Sequence, residues 1–350
     1  MFRNTWCEVG VKMRMFFLAI AAISLLLLAG CSSGPGKNSG GKDMSAKLPF
    51  AYAAVHSGTE GIKIEFLPNA PPSELLAPFK SGSSYPFKAA LKLSNKGAFD
   101  VEDGWVVLTS EEDYMKLDSF KTAFSLKGKS IFNPGGDSGI EVFDGSTKPF
   151  REGQSEKHKS IIVLATLCYK YRTDVKTDVC IDTDVLGMSQ KKKVCSVKDV
   201  SLSGGQGAPV AVTKIEAKIF PEGSGERIAF VKPQYVIHIK NTGDGEVLNP
   251  SADMSSACSS ELVSNRDSDA FKKIWNIATV SASLSGKELV CSPNPIRLRA
   301  KEDFVRCSLR DEDKIDANIP SYTAPLTITF NYGYTTTISK EVTVIREVGY

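Results

Sequence analysis

Histidine is the side chain that most often acts as a general base, and this chain has three of them in 350 residues. His238 alternates with Ile237 and Ile239, which predicts that it points away from the core that those two residues enter. His56 and His158 stand alone, the second of them in a run of charged residues. The sequence has no GxSxG, HExxH or Walker motif. We therefore predict no catalytic residue, no cofactor and a non-enzymatic role.

Two acidic groups are the remaining candidates for a metal site. Asp182 with Asp184, and residues 311–313 with Asp316, carry the carboxylate oxygens that calcium prefers. Neither group has the spacing of a known calcium loop, and basic residues interrupt the second one. We predict that both are solvated turns and that the chain holds no metal.

Cysteine offers a clearer chemistry at the N-terminus. Residues 15–30 form an apolar run that follows Lys12 and Arg14 and is short for a membrane-spanning helix. The run ends in LAGC at Cys31, which resembles the lipobox of prokaryotic lipoproteins. This resemblance implies a signal peptide over residues 1–30, lipidation of Cys31 and a membrane anchor. A plain signal peptide and an uncleaved anchor helix are the alternatives, and a start at Met13 would give a more compact signal.

Six cysteines remain when Cys7 and Cys31 are set aside. They are Cys168, Cys180, Cys195, Cys258, Cys291 and Cys307. An even number in an exported protein predicts disulfides, and none of the spacings is the CxxC of a zinc or redox site. Cys291 and Cys307 flank a natural hairpin, so we favour that pair most.

The other four cysteines leave two arrangements open. If the segment between Cys168 and Cys180 folds back as a hairpin, these two residues face each other. Cys195 would then pair with Cys258. The rival arrangement joins Cys180 to Cys195 and Cys168 to Cys258.

Composition limits the partners that the chain can have. With 42% apolar and 24% charged residues the chain is predicted to fold, and a net charge of +3 is too small for a nucleic-acid-binding protein.

Residues 32–47 are rich in Gly and Ser, which predicts a flexible tether, so we assign residues 31–54 to the lipidated cysteine and tether. Everything after this tether is predicted to lie outside the cytoplasm.

The rest of the chain has β character and contains an internal repeat. Residues 90–101 align without gaps with residues 236–247, and both copies alternate and then enter an Asn-x-Gly turn. We expect Gly97 and Gly243 to supply a positive φ at these turns.

The ends of the two copies also match. Residues 167–181 align with residues 330–344 at a constant offset of 163, and each segment is predicted to be a terminal hairpin. Five tyrosines lie near these ends, where a carbohydrate could stack, although core packing is the favoured interpretation. They are Tyr169, Tyr171, Tyr322, Tyr332 and Tyr334.

These patterns predict an all-β protein with two tandem immunoglobulin-like β-sandwich domains. The first covers residues 55–185, the second covers residues 210–350, and residues 186–209 form the linker. Helical periodicity is limited to one short piece near residues 111–121.

The turn sequences LSNKG and IKNTG, each followed by Val, resemble the CARDB and NEW3 group of immunoglobulin-like extracellular modules. Longer phrases such as NAPPSELLAPF and SLSGGQGAPVAVTKIE are similar to predicted lipoproteins of small-genome archaea. The resemblance implies adhesion, envelope structure or protein–protein binding at a cell surface, with an unknown surface protein or glycan as partner. A carbohydrate-binding accessory lipoprotein is the alternative.

Overall fold

The computed structural model describes residues 50–348 except 81, 152–156, 189–191, 225–226 and 259–267. The described chain consists mainly of β-strands in antiparallel sheets, which confirms the predicted all-β fold. The predicted signal peptide, Cys31 and most of the predicted tether lie outside the described residues. Within the described part, no helix has the length and apolarity that a membrane crossing requires.

The strands divide between the two copies of the repeat. The first copy contains β1 (Ile62–Phe66), β2 (Glu74–Ala77), β3 (Tyr85–Asn95), β4 (Val101–Thr109), β5 (Met115–Leu117), β6 (Lys121–Leu126), β7 (Ser138–Thr147) and β8 (His158–Ile181). They are followed by β9 (Val200–Ser201), β10 (Val210–Ser224), β11 (Arg227–Asn241), β12 (Glu246–Leu248), β13 (Ile277–Leu284), β14 (Lys287–Ser292), β15 (Ile296–Arg297), β16 (Glu302–Leu309), β17 (Ile315–Asp316) and β18 (Tyr322–Arg346). The helices are α1 (Phe50–Val55), α2 (Met254–Ala257) and α3 (Asp269–Ile274), with a 3-10 turn at Asp311–Asp313.

Two predictions about helices are wrong. Residues 111–121 contain a turn and strand β5 instead of a helix, because Met115 is buried and β5 pairs with β7. The carbonyl of Glu111 accepts hydrogen bonds from Tyr114 N and Met115 N, both at 3.1 Å, and these bonds close the turn. Helix α1 overlaps the last five residues of the segment that is predicted to be the tether.

The strands form one small sheet and one long, curled sheet. The small sheet has the order β1-β3-β7-β5, and its inner side chains share a core with β4 and the first part of β8. The long sheet has the order β6-β4-β8-β18-β13-β14-β16-β11-β10-β9. In the second copy this sheet curls at β14, so that β10 and β11 pack over β13 and β18.

Strands β8 and β18 run through both copies. They pair antiparallel from His158 with Ile345 to Ile181 with Tyr322. Strand β8 pairs with β4 of the first copy, whereas β18 pairs with β13 of the second copy and then with β2 of the first. The predicted terminal hairpins are therefore wrong, because alternation of buried and exposed residues continues along each strand without a turn.

The two copies are related by an approximate two-fold axis at the middle of this strand pair. Lys170 pairs with Gly333, which is also the residue that aligns with it in the repeat. Tyr171 aligns with Tyr334 but pairs with Tyr332, and Tyr169 aligns with Tyr332 but pairs with Tyr334. A continuous apolar core extends through both copies.

The sequence repeat predicts two domains, and this division stays a prediction. In the structure, Ser45–Tyr350 forms one compact unit. The predicted linker takes part in this unit. Gly58 N donates to Gly204 O at 2.7 Å, and Gly207 N donates to Gly58 O at 2.8 Å. The amide of Gln206 is buried and bonded in both directions to the backbone of Val212. The residues between the copies are thus packed against the start of the first copy.

Candidate functional site

Four tyrosines meet where β8 and β18 pass from one copy to the other. Tyr169 pairs with Tyr334 and Tyr171 pairs with Tyr332, and all four side chains are buried. Their ring centroids lie 5.5–6.4 Å apart. Burial raises the pKa of each phenol, so the hydroxyls stay protonated. These rings form core, as favoured from the sequence.

In each copy, one tyrosine hydroxyl holds the Asn-x-Gly turn. Tyr171 Oη accepts a hydrogen bond from Phe99 N at 3.1 Å, and Tyr334 Oη accepts one from Gly245 N at 2.8 Å. Each hydroxyl also donates to the side-chain oxygen of the turn asparagine, at 3.5 Å in the first copy and 3.2 Å in the second. The sequence repeat therefore encodes a repeated hydrogen-bond network.

The glycines of these turns are needed for space. Gly97 and Gly243 are absent from the glycines with positive φ, so the predicted reason for them is wrong. A Cβ on Gly97 would lie 2.0 Å from Tyr171 Oη, and a Cβ on Gly243 would lie 2.4 Å from Tyr334 Oη. A larger residue would displace the tyrosine that holds the turn.

The six cysteines form three disulfides. Cys291 and Cys307 are direct partners on β14 and β16, which confirms the favoured pair. The other two bridges join Cys168 to Cys258 and Cys180 to Cys195, as in the rival arrangement. Three disulfides are typical of proteins that fold outside the reducing cytoplasm.

The pairing of Cys168 with Cys180, and of Cys195 with Cys258, is wrong for a geometric reason. Cys168 and Cys180 lie on the same strand, β8, twelve residues apart. At about 3.3 Å per residue they are about 40 Å apart, far beyond the reach of a disulfide.

The Cys168–Cys258 bridge fastens helix α2 of the second copy to the outer face of β4 and β8. The two Cα atoms lie 5.6 Å apart. Lys121 Nζ donates to Ser255 O at 2.5 Å and lies 4.6 Å from the centroid of the Trp105 ring. The two copies are thus cross-linked by a covalent bond in addition to their shared strand pair.

A cleft of about 980 Å³ opens beside this crossing, and we call it the junction cleft. Its charged lining consists of Lys129, Lys170, Arg172, Lys176, Asp100, Glu102 and Asp174. The Arg172 guanidinium lies 4.6 Å from the centroid of the Phe99 ring and 3.6 Å from Asp174 Oδ2. The cleft therefore combines basic, acidic and apolar surface.

His56 lies in the junction cleft, where its ring contacts Phe99 edge-on at 5.4 Å between centroids. Burial lowers its pKa below 6.5, so the ring is neutral at pH 7. Burial also lowers the pKa of Lys129, which donates to Ser57 O at 2.9 Å. Sequence reasoning missed this cleft, since its residues come from five separated segments.

A second cleft, of about 590 Å³, lies at the matching position of the second copy, and we call it the threonine cleft. Its Glu246 aligns with Asp100 of the junction cleft in the sequence repeat. The polar lining includes Thr59, Thr242, Thr335, Thr336, Thr337, Glu60 and Asp244, and Trp275 adds an aromatic ring. This lining is rich in hydroxyl and carboxylate groups.

The remaining candidates from the sequence are on the surface. His238 points outward between buried Ile237 and Ile239, as predicted, and its Nε2 lies 3.2 Å from Glu216 Oε1. His158 is exposed at the start of β8.

Lysines pair with both acidic groups. Lys193 Nζ lies 2.8 Å from Asp182 and 3.7 Å from Asp184, and Lys232 Nζ lies 2.7 Å from Asp311. Within the described ranges no His, Cys, Asp and Glu cluster could hold a metal ion.

No protein-family model matches the chain, and comparison with curated proteins gives no match. Solved structures give weak similarities, of which three are typical examples. Secreted serine protease VesC from Vibrio cholerae is 11% identical with a TM-score of 0.15, and the match covers 78% of this chain and half of the protease. The C-terminal domain of the Streptococcus pyogenes antigen I/II-family protein AspA is 7% identical with a TM-score of 0.16, over 82% of this chain and all of that domain. The CupB6 tip adhesin from Pseudomonas aeruginosa is 9% identical with a TM-score of 0.16, over 83% of this chain and all of the adhesin. Scores this low establish no shared fold.

Proposed function

We propose that the chain is a non-enzymatic, lipid-anchored extracytoplasmic surface protein that acts in adhesion, envelope structure or protein–protein binding. One observation carries this proposal: two copies of a β module share the strands β8 and β18 and are also cross-linked by Cys168–Cys258. Such a body holds its outer faces and clefts in fixed positions. Because this surface is already ordered, the chain loses little conformational entropy when a partner binds to it.

The lipid anchor is tested by metabolic labelling of cells that express the full chain with an alkyne fatty acid. The unmodified chain and the matched control Cys7→Ser are expected to carry the label, whereas Cys31→Ser is expected to lose it. Equal labelling of Cys31→Ser and the unmodified chain would contradict lipidation at Cys31.

Binding is tested by crosslinking on intact cells, followed by purification of the full chain. Recovery of one protein partner at a stoichiometric level supports the proposal. Absence of any stoichiometric partner, with crosslinker shown to have reacted on the exposed lysines, contradicts it.

Carbohydrate binding is the second candidate, and the threonine cleft is the observation that favours it. Threonine hydroxyls, carboxylates and the ring of Trp275 line one concave surface, and these groups suit the hydroxyls and apolar faces of a sugar. Affinity electrophoresis in gels that contain cell-envelope polysaccharide tests this candidate. Retardation that is lost in Thr336→Val but kept in Thr279→Val, a strand threonine outside the cleft, would favour carbohydrate over protein.

A further inference from the structure

An exposed apolar pair lies at the tip of the loop between β6 and β7. Ile131 is 60% exposed and Phe132 is 91% exposed, and no other large apolar side chain in the described residues is more exposed than Phe132. Turn positions usually carry Gly, Pro, Asn, Asp or Ser, so two adjacent large apolar residues there are unusual. An exposed apolar feature of this kind indicates contact with an apolar partner.

The loop that carries this pair, residues 127–137, is held by hydrogen bonds. Ser130 N donates to Asn133 O at 3.0 Å, and Asn133 N donates to Ser130 Oγ at 3.0 Å. Asn133 Nδ2 donates to Asp137 Oδ1 at 2.9 Å, and a Cβ on Gly136 would lie 1.9 Å from Asn95 O. These bonds hold the loop on both sides of the pair.

The tip lies beside the point where the described chain begins. Ile131 lines the junction cleft together with Val55, the last residue of α1, and His56, which follows it. Lys129 Nζ also bonds Ser57 O, two residues beyond Val55. In the sequence, 18 residues separate Cys31 from Phe50. A lipid on Cys31 would thus be joined to this part of the chain by a connection of that length.

Basic residues lie in this loop and in the adjoining cleft. Lys127 is exposed in the loop, and four basic and three acidic residues line the cleft. Of these acids, Asp100 accepts a hydrogen bond from Gly128 N, and Asp174 bonds Thr329 and lies beside Arg172. An apolar pair flanked by basic residues suits the headgroup region of an anionic bilayer.

We propose that Ile131 and Phe132 insert into the headgroup region of an anionic membrane and so orient the protein on the surface to which Cys31 anchors it. This rests on the proposed membrane anchor. The tip and the lipid then act as two attachments on one chain, and this covalent connection raises the effective concentration of the tip at the bilayer.

The test uses the full chain reconstituted into phosphatidylglycerol vesicles that contain brominated lipid. Phe132→Trp places a fluorophore at the tip. Phe120→Trp is the matched control, because Phe120 is 61% exposed and lies at the opposite end of β6. Far-UV circular dichroism verifies that both variants fold. We expect brominated lipid to cause a loss of Phe132→Trp emission that Phe120→Trp does not show, together with a shift to shorter wavelength.

Vesicle flotation separates the two proposals. If both variants float with the vesicles and show equal quenching, the tip does not insert and this inference is overturned while the anchor stands. If the full chain does not float, the anchor itself is contradicted. Equal quenching of Phe132→Trp in neutral phosphatidylcholine vesicles would overturn the requirement for anionic lipid.

Discussion

Removal of one hydroxyl from the turn of the second copy gives the sharpest test of the tyrosine network. Tyr334 Oη accepts from Gly245 N at 2.8 Å and donates to Asn241 Oδ1 at 3.2 Å, and all of these groups are buried. Tyr334→Phe keeps the ring and its packing but leaves the backbone N–H of Gly245 without its acceptor. The matched control is Tyr235→Phe, since the fully buried Tyr235 hydroxyl has no hydrogen-bond partner among the described residues.

The expected magnitudes differ clearly. An unsatisfied buried donor costs about 1–3 kcal/mol, so Tyr334→Phe should lower the free energy of unfolding by about 2 kcal/mol. Tyr235→Phe removes a buried polar group that already lacks a partner, so its free energy of unfolding should be unchanged or slightly higher. Equilibrium urea denaturation of the oxidised chain, with all disulfides intact, measures both values.

The reasoning is refuted if Tyr334→Phe unfolds at the same urea concentration as the parent. It is also refuted if Tyr235→Phe is destabilised as strongly as Tyr334→Phe, because both effects would then reflect ring packing and not the hydrogen bonds. An unchanged m-value in both variants is needed for the comparison to hold.

Three further predictions follow from the same geometry. Gly243→Ala should lower the free energy of unfolding, because its Cβ would lie too close to Tyr334 Oη. In the double variant with Tyr334→Phe, the loss should be smaller than the sum of the two single losses. A double variant whose loss in urea denaturation equals that sum would contradict the contact. The double replacement Cys168→Ala with Cys258→Ala should lower the free energy of unfolding by about 4 kcal/mol, because this disulfide closes a long loop. An unchanged melting temperature would contradict this stabilisation. Burial lowers the pKa of His56, so the folded chain binds fewer protons than the unfolded chain just below pH 6.5, and stability present above that pH is lost as the pH falls. His56→Gln should show a smaller loss between pH 7.5 and 5.5, and an equal loss in thermal melts would contradict this role.

The repeat was predictable from the sequence, but the pairing of its strands was not. The alternation of residues 161–181 reports which side chains are buried and does not report the neighbouring strand. A hairpin over residues 167–181 has to turn near its middle, at Thr173 and Asp174. In the structure Thr173 is buried and bonds Val210 O, and the strand continues past it.

The disulfide error came from that same turn. Once Cys168 and Cys180 were placed on opposite arms of a hairpin, their pairing followed, although they lie on one strand. The partner of Cys168 is Cys258, which lies 90 residues further along the sequence. Cys291 and Cys307 were predicted correctly because their pairing depends on a local hairpin alone.

The two clefts could not be predicted from the sequence. Each cleft is lined by segments that are distant in the sequence and come together only through the shared strands β8 and β18. One signal was present in the sequence: Ile131 and Phe132 precede the loop sequence NPGGDSG, where polar residues are expected. Asn95 and Asn241 were likewise found as turn residues, while their bonds to distant tyrosines required the fold.

Disulfide mapping of the full chain tests the central claim most directly, since it reports both the compartment and the crossing of the two copies. The chain is purified from membranes of expressing cells after alkylation of free thiols, and its peptides are identified without reduction. Our account predicts three links, namely Cys168–Cys258, Cys180–Cys195 and Cys291–Cys307. Alkylated thiols at these positions, or a link between Cys168 and Cys180, would contradict it.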